Sequence, residues 1–228
     1  MLFRQLGLLV LILELFRQTA FAEPIPASSG QSPTLSLIFA EILENADIDT
    51  TLVSAPLERK RRMFARGRIH VDCCTIPEWR QREDESAVQL FSQPFLTSNS
   101  SYVFHAMRPI IIARHSDLAE YRVATVRGFK YELASYFGET IPTESWASML
   151  HLVDKGRADL AFVGNIVFHE SQTSMRHNLR LGPVVANHAL VIRVHKSRKD
   201  LLPRINRSIG ELIANGTIAR LAAVSTIE

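Results

Sequence analysis

One phrase occurs twice in this chain and constrains its fold more than any other feature: an amphipathic helix halted by Gly-Arg, followed at once by an apolar strand. The first copy is Ala65-Arg66-Gly67-Arg68-Ile69 and the second is Asp154-Lys155-Gly156-Arg157-Ala158. Glycine suits the left-handed conformation that ends a helix, so each copy reads as a helix-to-strand joint. Two such joints predict two similar α/β lobes. The length of 228 residues admits either one large domain or two small lobes, and the repeat selects the second.

Local patterns fill in each lobe. Residues 34–46 place Leu35, Ile38, Ile42 and Leu43 on one helical stripe, and 48–53 alternates with β-branched residues as a strand does. Pro56 opens a helix over 57–65, and 69–75 is an apolar strand. Segment 23–33, rich in Pro, Ser and Gly, is expected to be irregular. Downstream, 122–127 alternates as a strand, Gly128 allows a tight turn, and 130–137 reads as a helix whose first amides are free to meet an anion. Ser145 caps a helix through Met149, Leu150 and Val153, and 158–163 reads as a buried strand. Strands at 101–104 and 110–114 flank Pro109 and carry the chain across, while 181–185 carries it back to a strand at 189–195. Asp200 is expected to cap a helix with the stripe Leu201, Leu202, Ile205, Ile209, Leu212 and Ile213; Gly216 ends it, and 217–223 forms one more turn of helix. The expected organisation is one lobe from 23–108 with 185–228, a second from 109–184, and a ligand cleft between them.

The first 22 residues form a separate unit. A positive start at Arg4, an unbroken apolar run over 6–13 and the small-x-small pattern Ala20-Phe21-Ala22 read as a secretory signal peptide cleaved after Ala22. Spanning a bilayer takes about 20 apolar residues, and Glu14 and Arg17 interrupt this run too soon. The expected location is periplasmic, and a monomer is expected.

Composition narrows the function classes. With 46% hydrophobic and 21% charged residues, a sizeable core can be buried. The net charge of +3 is spread among acids except in Glu58-Arg59-Lys60-Arg61-Arg62, which reads as a solvated helix face, and no nucleic-acid motif accompanies it. Cys73 and Cys74 are adjacent; the plain reading is two thiols on a strand, one buried as a small hydrophobe, since a mutual disulfide closes a strained ring.

Three further stretches then matter together: residues 122–129 (Arg-Val-Ala-Thr-Val-Arg-Gly-Phe), residues 152–159 (Leu-Val-Asp-Lys-Gly-Arg-Ala-Asp), and Asp200 to Asn206 leading to Asn215-Gly216-Thr217. In their order and spacing they resemble the extracellular solute-binding proteins of the polar amino-acid type (family 3), the periplasmic components of ABC importers. The resemblance implies the α/β type II periplasmic binding protein fold, two lobes joined by a two-crossing hinge, each a small mixed sheet flanked by helices. It also implies a small polar ligand, a membrane ABC permease as partner, and no cofactor. In that family an arginine after a Thr-Pro-Glu-like stretch clamps the ligand carboxylate, and Ile76-Pro77-Glu78-Trp79-Arg80 looks like that place. A guanidinium offers a carboxylate two parallel donors, which a lysine does not. A solvated loop arginine is the plain alternative, with Arg82 competing; Trp79 is either a cleft wall or core. Arg59 matches a family arginine near the cleft, or lies on the helix surface. Arg127, Gly128 and Phe129 correspond to the ligand-facing turn of the second lobe. Where amino-acid binders carry an acid for the ligand ammonium, this chain has Gly164 followed by Asn165, so an ammonium lacks its usual partner. The first lobe departs too: 23–30 offers little of the family's opening strand, and His70 replaces an aspartate, with packing its expected role.

Enzyme motifs are absent: no His-Glu-x-x-His, Cys-x-x-Cys, phosphate loop or Gly-x-Ser-x-Gly. The eight histidines are scattered, and His169 and His177 make no metal pattern. An exported lyase or dehydratase on the same fold remains the enzymatic alternative, with Glu144 and Glu170 as its acid candidates. A signalling module whose closed form docks on a receptor is the third class. Neither metal nor nucleic acid is expected.

Overall fold

The computed structural model describes residues 23–30 and 32–223. The leader expected at 1–22 lies outside the described residues.

The first lobe opens with β1 (Ile25–Ser28), α1 (Pro33–Asn45), β2 (Thr50–Leu52), α2 (Leu57–Ala65), β3 (Val71–Thr75), α3 (Glu83–Ser86) and β4 (Gln89–Phe91). β5 (Leu96–His105) leads into the second lobe, built from β6 (Arg122–Val126), β7 (Glu139–Thr143), α4 (Trp146–Asp154), β8 (Leu160–Gly164) and α5 (Asn165–Ser174). β9 (Leu179–His195) returns, and α6 (Leu202–Ala214) and α7 (Thr217–Ala223) complete the first lobe. The strand order is β2-β1-β3-β9-β5-β8-β6-β7, with β4 also on β9. Each lobe repeats one motif: β1 lies parallel between β2 and β3, and β6 parallel between β7 and β8.

Both glycine stops take the left-handed conformation, Gly67 at φ 65° and Gly156 at φ 68°. Ser32 caps α1 by accepting the Leu35 N–H at 3.1 Å, and Pro33 sits in the first turn, where its missing N–H costs nothing. The core of the first lobe joins Ile38, Phe39 and Ile42 of α1 to Ile205, Ile209 and Leu212 of α6 across Val71, Ile192 and Val194. Two clusters cover the second sheet. Val103 packs with Met149, Leu150 and Ala161 on one face, while Tyr102 and Phe104 pack with Leu118, Val123 and Phe162 on the other, as the two-residue period of a strand requires.

β5 and β9 are the two crossings. Their pairing slips between Ser100 and Ser101 and again before Val103, and residues 183–185 of β9 are exposed. A ladder interrupted by bulges and flanked by short side chains bends more easily than the buried strands on either side.

Several expectations are corrected. Residues 25–28 form a strand because two partners pair it: Ile25 donates to the Asp49 carbonyl at 2.9 Å and the Pro26 carbonyl accepts from His70 at 2.8 Å. The donor that Pro26 lacks falls where β3 has not yet begun, so proline is tolerated. The helix expected over 130–137 is instead a turn with one 3-10 turn at Ala134–Tyr136. Tyr131 folds back so that its hydroxyl accepts the Val126 N–H at 2.8 Å, and Tyr131, Leu133 and Phe137 pack on the second core. Residues 110–114 are not a strand; Ile110 and Ile112 rest against the same core without a sheet partner. Asp200 does not cap α6, because a 3-10 segment, Lys196–Leu201, leads straight into it and Asp200 binds Arg198 at 3.1 Å. Cys73 and Cys74 are joined in a disulfide across a cis peptide rather than standing as two thiols.

Candidate functional site

A cavity of about 550 Å³ lies between the two lobes and is lined by both. The first lobe contributes Trp79 and Arg80. Pro77 starts a 3-10 turn in which the Arg80 N–H bonds the Pro77 carbonyl at 3.0 Å, and the Gln89 amide donates to the Arg80 carbonyl at 2.7 Å. This pinned loop aims the guanidinium into the cavity. The second lobe contributes a four-residue turn after β6, closed by the Phe129 N–H on the Val126 carbonyl at 3.1 Å, with Gly128 at φ 80° as that turn requires. Arg127 and Phe129 thereby face the cavity.

Arg80 is 8% exposed, and its Nε has no hydrogen-bond partner among the described residues. Burial lowers its pKa to about 10, with Asp72 working against the shift and Arg193 and Arg61 adding to it. At neutral pH it remains a cation. Lys60 lines the same wall, donates to the Ser29 carbonyl, and is likewise pushed below its usual range by burial; Asp72 opposes that shift and the Arg80 charge adds to it. The Thr75 hydroxyl beside them is buried and unpartnered.

Behind this wall sits a buried ion network. Arg193, 1% exposed, binds Asp72 and Glu85 at 2.7 Å each and lies 3.9 Å over the Phe64 ring; Arg61 binds Glu85 from the other side, and Ser28 donates to Asp72. Both carboxylates are consumed by these partners. Arg80 and Lys60 therefore face the cavity as surplus positive charge.

Several contacts bridge the lobes, the Glu132–His188 contact at 3.2 Å among them. The rings of Trp79 and Phe129 meet edge to face at 5.6 Å, Gly128 abuts the Glu58 side chain, and Glu170 of α5 accepts from Ser32 Oγ at 3.0 Å and the Thr34 N–H at 2.7 Å. The lobes are thus held together over the cavity.

Of the residues expected at the site, Arg80, Trp79, Arg127 and Phe129 are brought together in this cavity, and three are not. Arg59 is exposed and lines a separate, smaller pocket with Arg62, Met63, Arg66 and Arg68; its helical neighbour Lys60, turned by about 100°, faces the cavity instead. Gly128 supports the turn without lining the cavity. The Asn165 side chain is taken by Ser101, whose hydroxyl donates to it at 3.1 Å. No free anion-binding amides open a helix after β6 either, because no helix forms there and the N–H groups of Arg127 and Phe129 bond the Thr143 and Val126 carbonyls. Sequence reasoning missed Lys60, Thr75, Tyr131, Trp146 and His188; Trp146, beside the Ser145 cap, had the clearest signal. For acid catalysis, Glu170 is committed to the lobe bridge, and Glu144 is exposed and paired with Arg127 at 2.8 Å. No group of three metal-ligating side chains occurs among the described residues.

This architecture, two α/β lobes with a shared cleft, is the type II periplasmic binding protein fold. The structure is similar to the GluR0 ligand-binding core in complex with L-glutamate, with a TM-score of 0.75 at 14% identity over 89% of this chain and 98% of that one. It is similar to a histidine kinase sensor domain with similarity to periplasmic binding proteins, at 0.73, 16% identity, 88% and 95%. It is also similar to the substrate-binding protein of an amino acid ABC transporter, at 0.72, 15% identity, 88% and 97%. No family model and no curated protein matches the sequence.

Proposed function

We propose that this chain is a solute-binding protein that captures a small carboxylate-bearing ligand between its lobes and closes over it. The observation that carries this reading is the Arg80 guanidinium, buried at the interlobe cavity with an unpartnered Nε. A charge left in that state favours whatever anion completes it. Closure adds contacts from the second lobe to a ligand held by the first, so ligand shifts the open-closed balance by its difference in affinity. The lobes in this proposal are 23–108 with 185–228 and 109–184, except that the packing of Tyr102, Val103 and Phe104 in the second core moves the first crossing back to about Ser101.

The chain acts without turnover in this reading: the named structural neighbours are binding or sensing proteins, and both acid candidates are already engaged. Export to the periplasm with cleavage after Ala22, monomeric action and delivery to an ABC permease complete the proposal, supported by the apolar leader and the transporter-associated neighbour. The sensor-domain neighbour supports a second readout, docking of the closed form on a receptor. Small-angle scattering tests closure: a bound ligand found by thermal shift among amino acids and small carboxylates compacts the protein, and an unchanged profile at saturation refutes it. Uptake of that ligand, labelled, into cells with and without this gene separates transport from sensing.

A further inference from the structure

We propose that the ligand is an aromatic monocarboxylate that lacks an ammonium group; the inference rests on the capture-and-closure reading and specifies its substrate class. The anionic end is defined by three groups at one wall. Arg80 Nε and Thr75 Oγ1 are buried donors without acceptors, and the Lys60 ammonium stands beside them bound to a backbone carbonyl. A carboxylate placed against this wall answers the positive charge of Arg80 and Lys60.

An ammonium finds no such welcome. Two of the three carboxylates that line the cavity are ion-paired, Glu58 with Arg82 at 3.2 Å and Arg61 at 3.4 Å and Glu144 with Arg127 at 2.8 Å, and the third, Glu132, lies 3.2 Å from the His188 ring. Gly164 lines the cavity with its Cα so close to the hinge that a side chain there would meet Ser98 Oγ at 3.3 Å. A ligand ammonium would lose its water in a cavity with two unpaired cations on its wall, where Glu132 is the one lining carboxylate without an arginine partner.

The body of the ligand meets rings. Phe129 packs edge to face on Trp79 at 5.6 Å and on Trp146 at 4.4 Å, and all three line the cavity with Leu35 and Val167. Ring edges and faces arranged in this way accept one more ring in the same geometry. The volume is ample for a single-ring acid and within the usual range for small-molecule sites.

Calorimetry and scattering on the protein from the full chain test this with 3-phenylpropanoate, L-phenylalanine, 2-phenylethylamine, arginine and glutamine. The expected result is 3-phenylpropanoate bound at least about tenfold more tightly than L-phenylalanine, no binding of the amine, and compaction with the acid. Ser98→Asp, which sets a carboxylate beside Gly164, narrows that preference, and Trp146→Ala weakens the acid about tenfold or more. L-Phenylalanine bound as tightly as the deaminated acid overturns the proposal, as does binding of none of the aromatic probes. Arginine or glutamine bound with compaction overturns the ligand class and leaves closure standing; no compaction with any probe removes closure as well.

Discussion

Replacing Arg80 by methionine should stabilise the empty protein while weakening its hold on a carboxylate ligand. The guanidinium is 8% exposed with Nε unpartnered, and burial lowers its pKa from the usual guanidinium range to about 10. At ~1.4 kcal/mol for each tenfold change in proton affinity, that depression corresponds to about 3 kcal/mol of desolvation not recovered by the fold. The sign follows from linkage: a cation whose folded pKa lies below its unfolded one destabilises the fold at every pH beneath the folded value, so the whole penalty operates at neutral pH. Methionine keeps an unbranched chain of similar length and removes the charge, and imperfect packing takes back part of the gain. A net rise of roughly 1 to 2 kcal/mol in urea denaturation of the apo protein is the expected outcome. Calorimetry of the same variant should show a carboxylate ligand weakened by roughly 1.5 to 3 kcal/mol, the worth of charge-assisted hydrogen bonds. An apo variant less stable than wild type by more than about 1 kcal/mol would refute the reasoning, because it would mean that Arg80 is a satisfied member of the core network.

Three other outcomes follow from the geometry. Glu85→Gln leaves Arg61 and Arg193 buried without their shared carboxylate, and should cost roughly 3 to 5 kcal/mol in urea denaturation. Gly128→Ala places a Cβ at φ 80° and 3.0 Å from Glu58 Oε1, so thermal denaturation should report a loss of about 1 to 2 kcal/mol; an unchanged midpoint would contradict the turn described. The Asp159 carboxyl is held below its usual range chiefly by the Arg122 guanidinium at 2.7 Å, so its stabilisation is present above the unfolded carboxylate pKa and is lost as pH falls through the depressed folded value. Asp159→Asn should therefore flatten the acid limb of the stability curve below about pH 4, measured as denaturation midpoint against pH.

Much of the fold was legible because its signals are local. The stripe of α1, the Ser145 cap and the glycines that end α2 and α4 are properties of single turns of backbone, and amphipathic periods together with left-handed glycine state them directly. The short stretch ending in Arg80 also contains its own geometry, since Pro77 starts the turn that turns the guanidinium inward. What required the assembled molecule is every feature whose partner is distant in sequence. Residues 25–28 became a strand only because β2 and β3 flank them, 130–137 lost its helix to packing on the second core, and Asn165 was claimed by Ser101. Which residue of α2 faces the cleft, Arg59 or Lys60, depends on a rotation of about 100° that charge alone does not distinguish. The pairing of each cavity acid, and with it the sign of the charge a ligand must carry, likewise arises from contacts between separate elements: periodicity reports the energetics of neighbours along the chain, whereas electrostatic balance in a cleft is set by groups that only folding brings within a few ångströms.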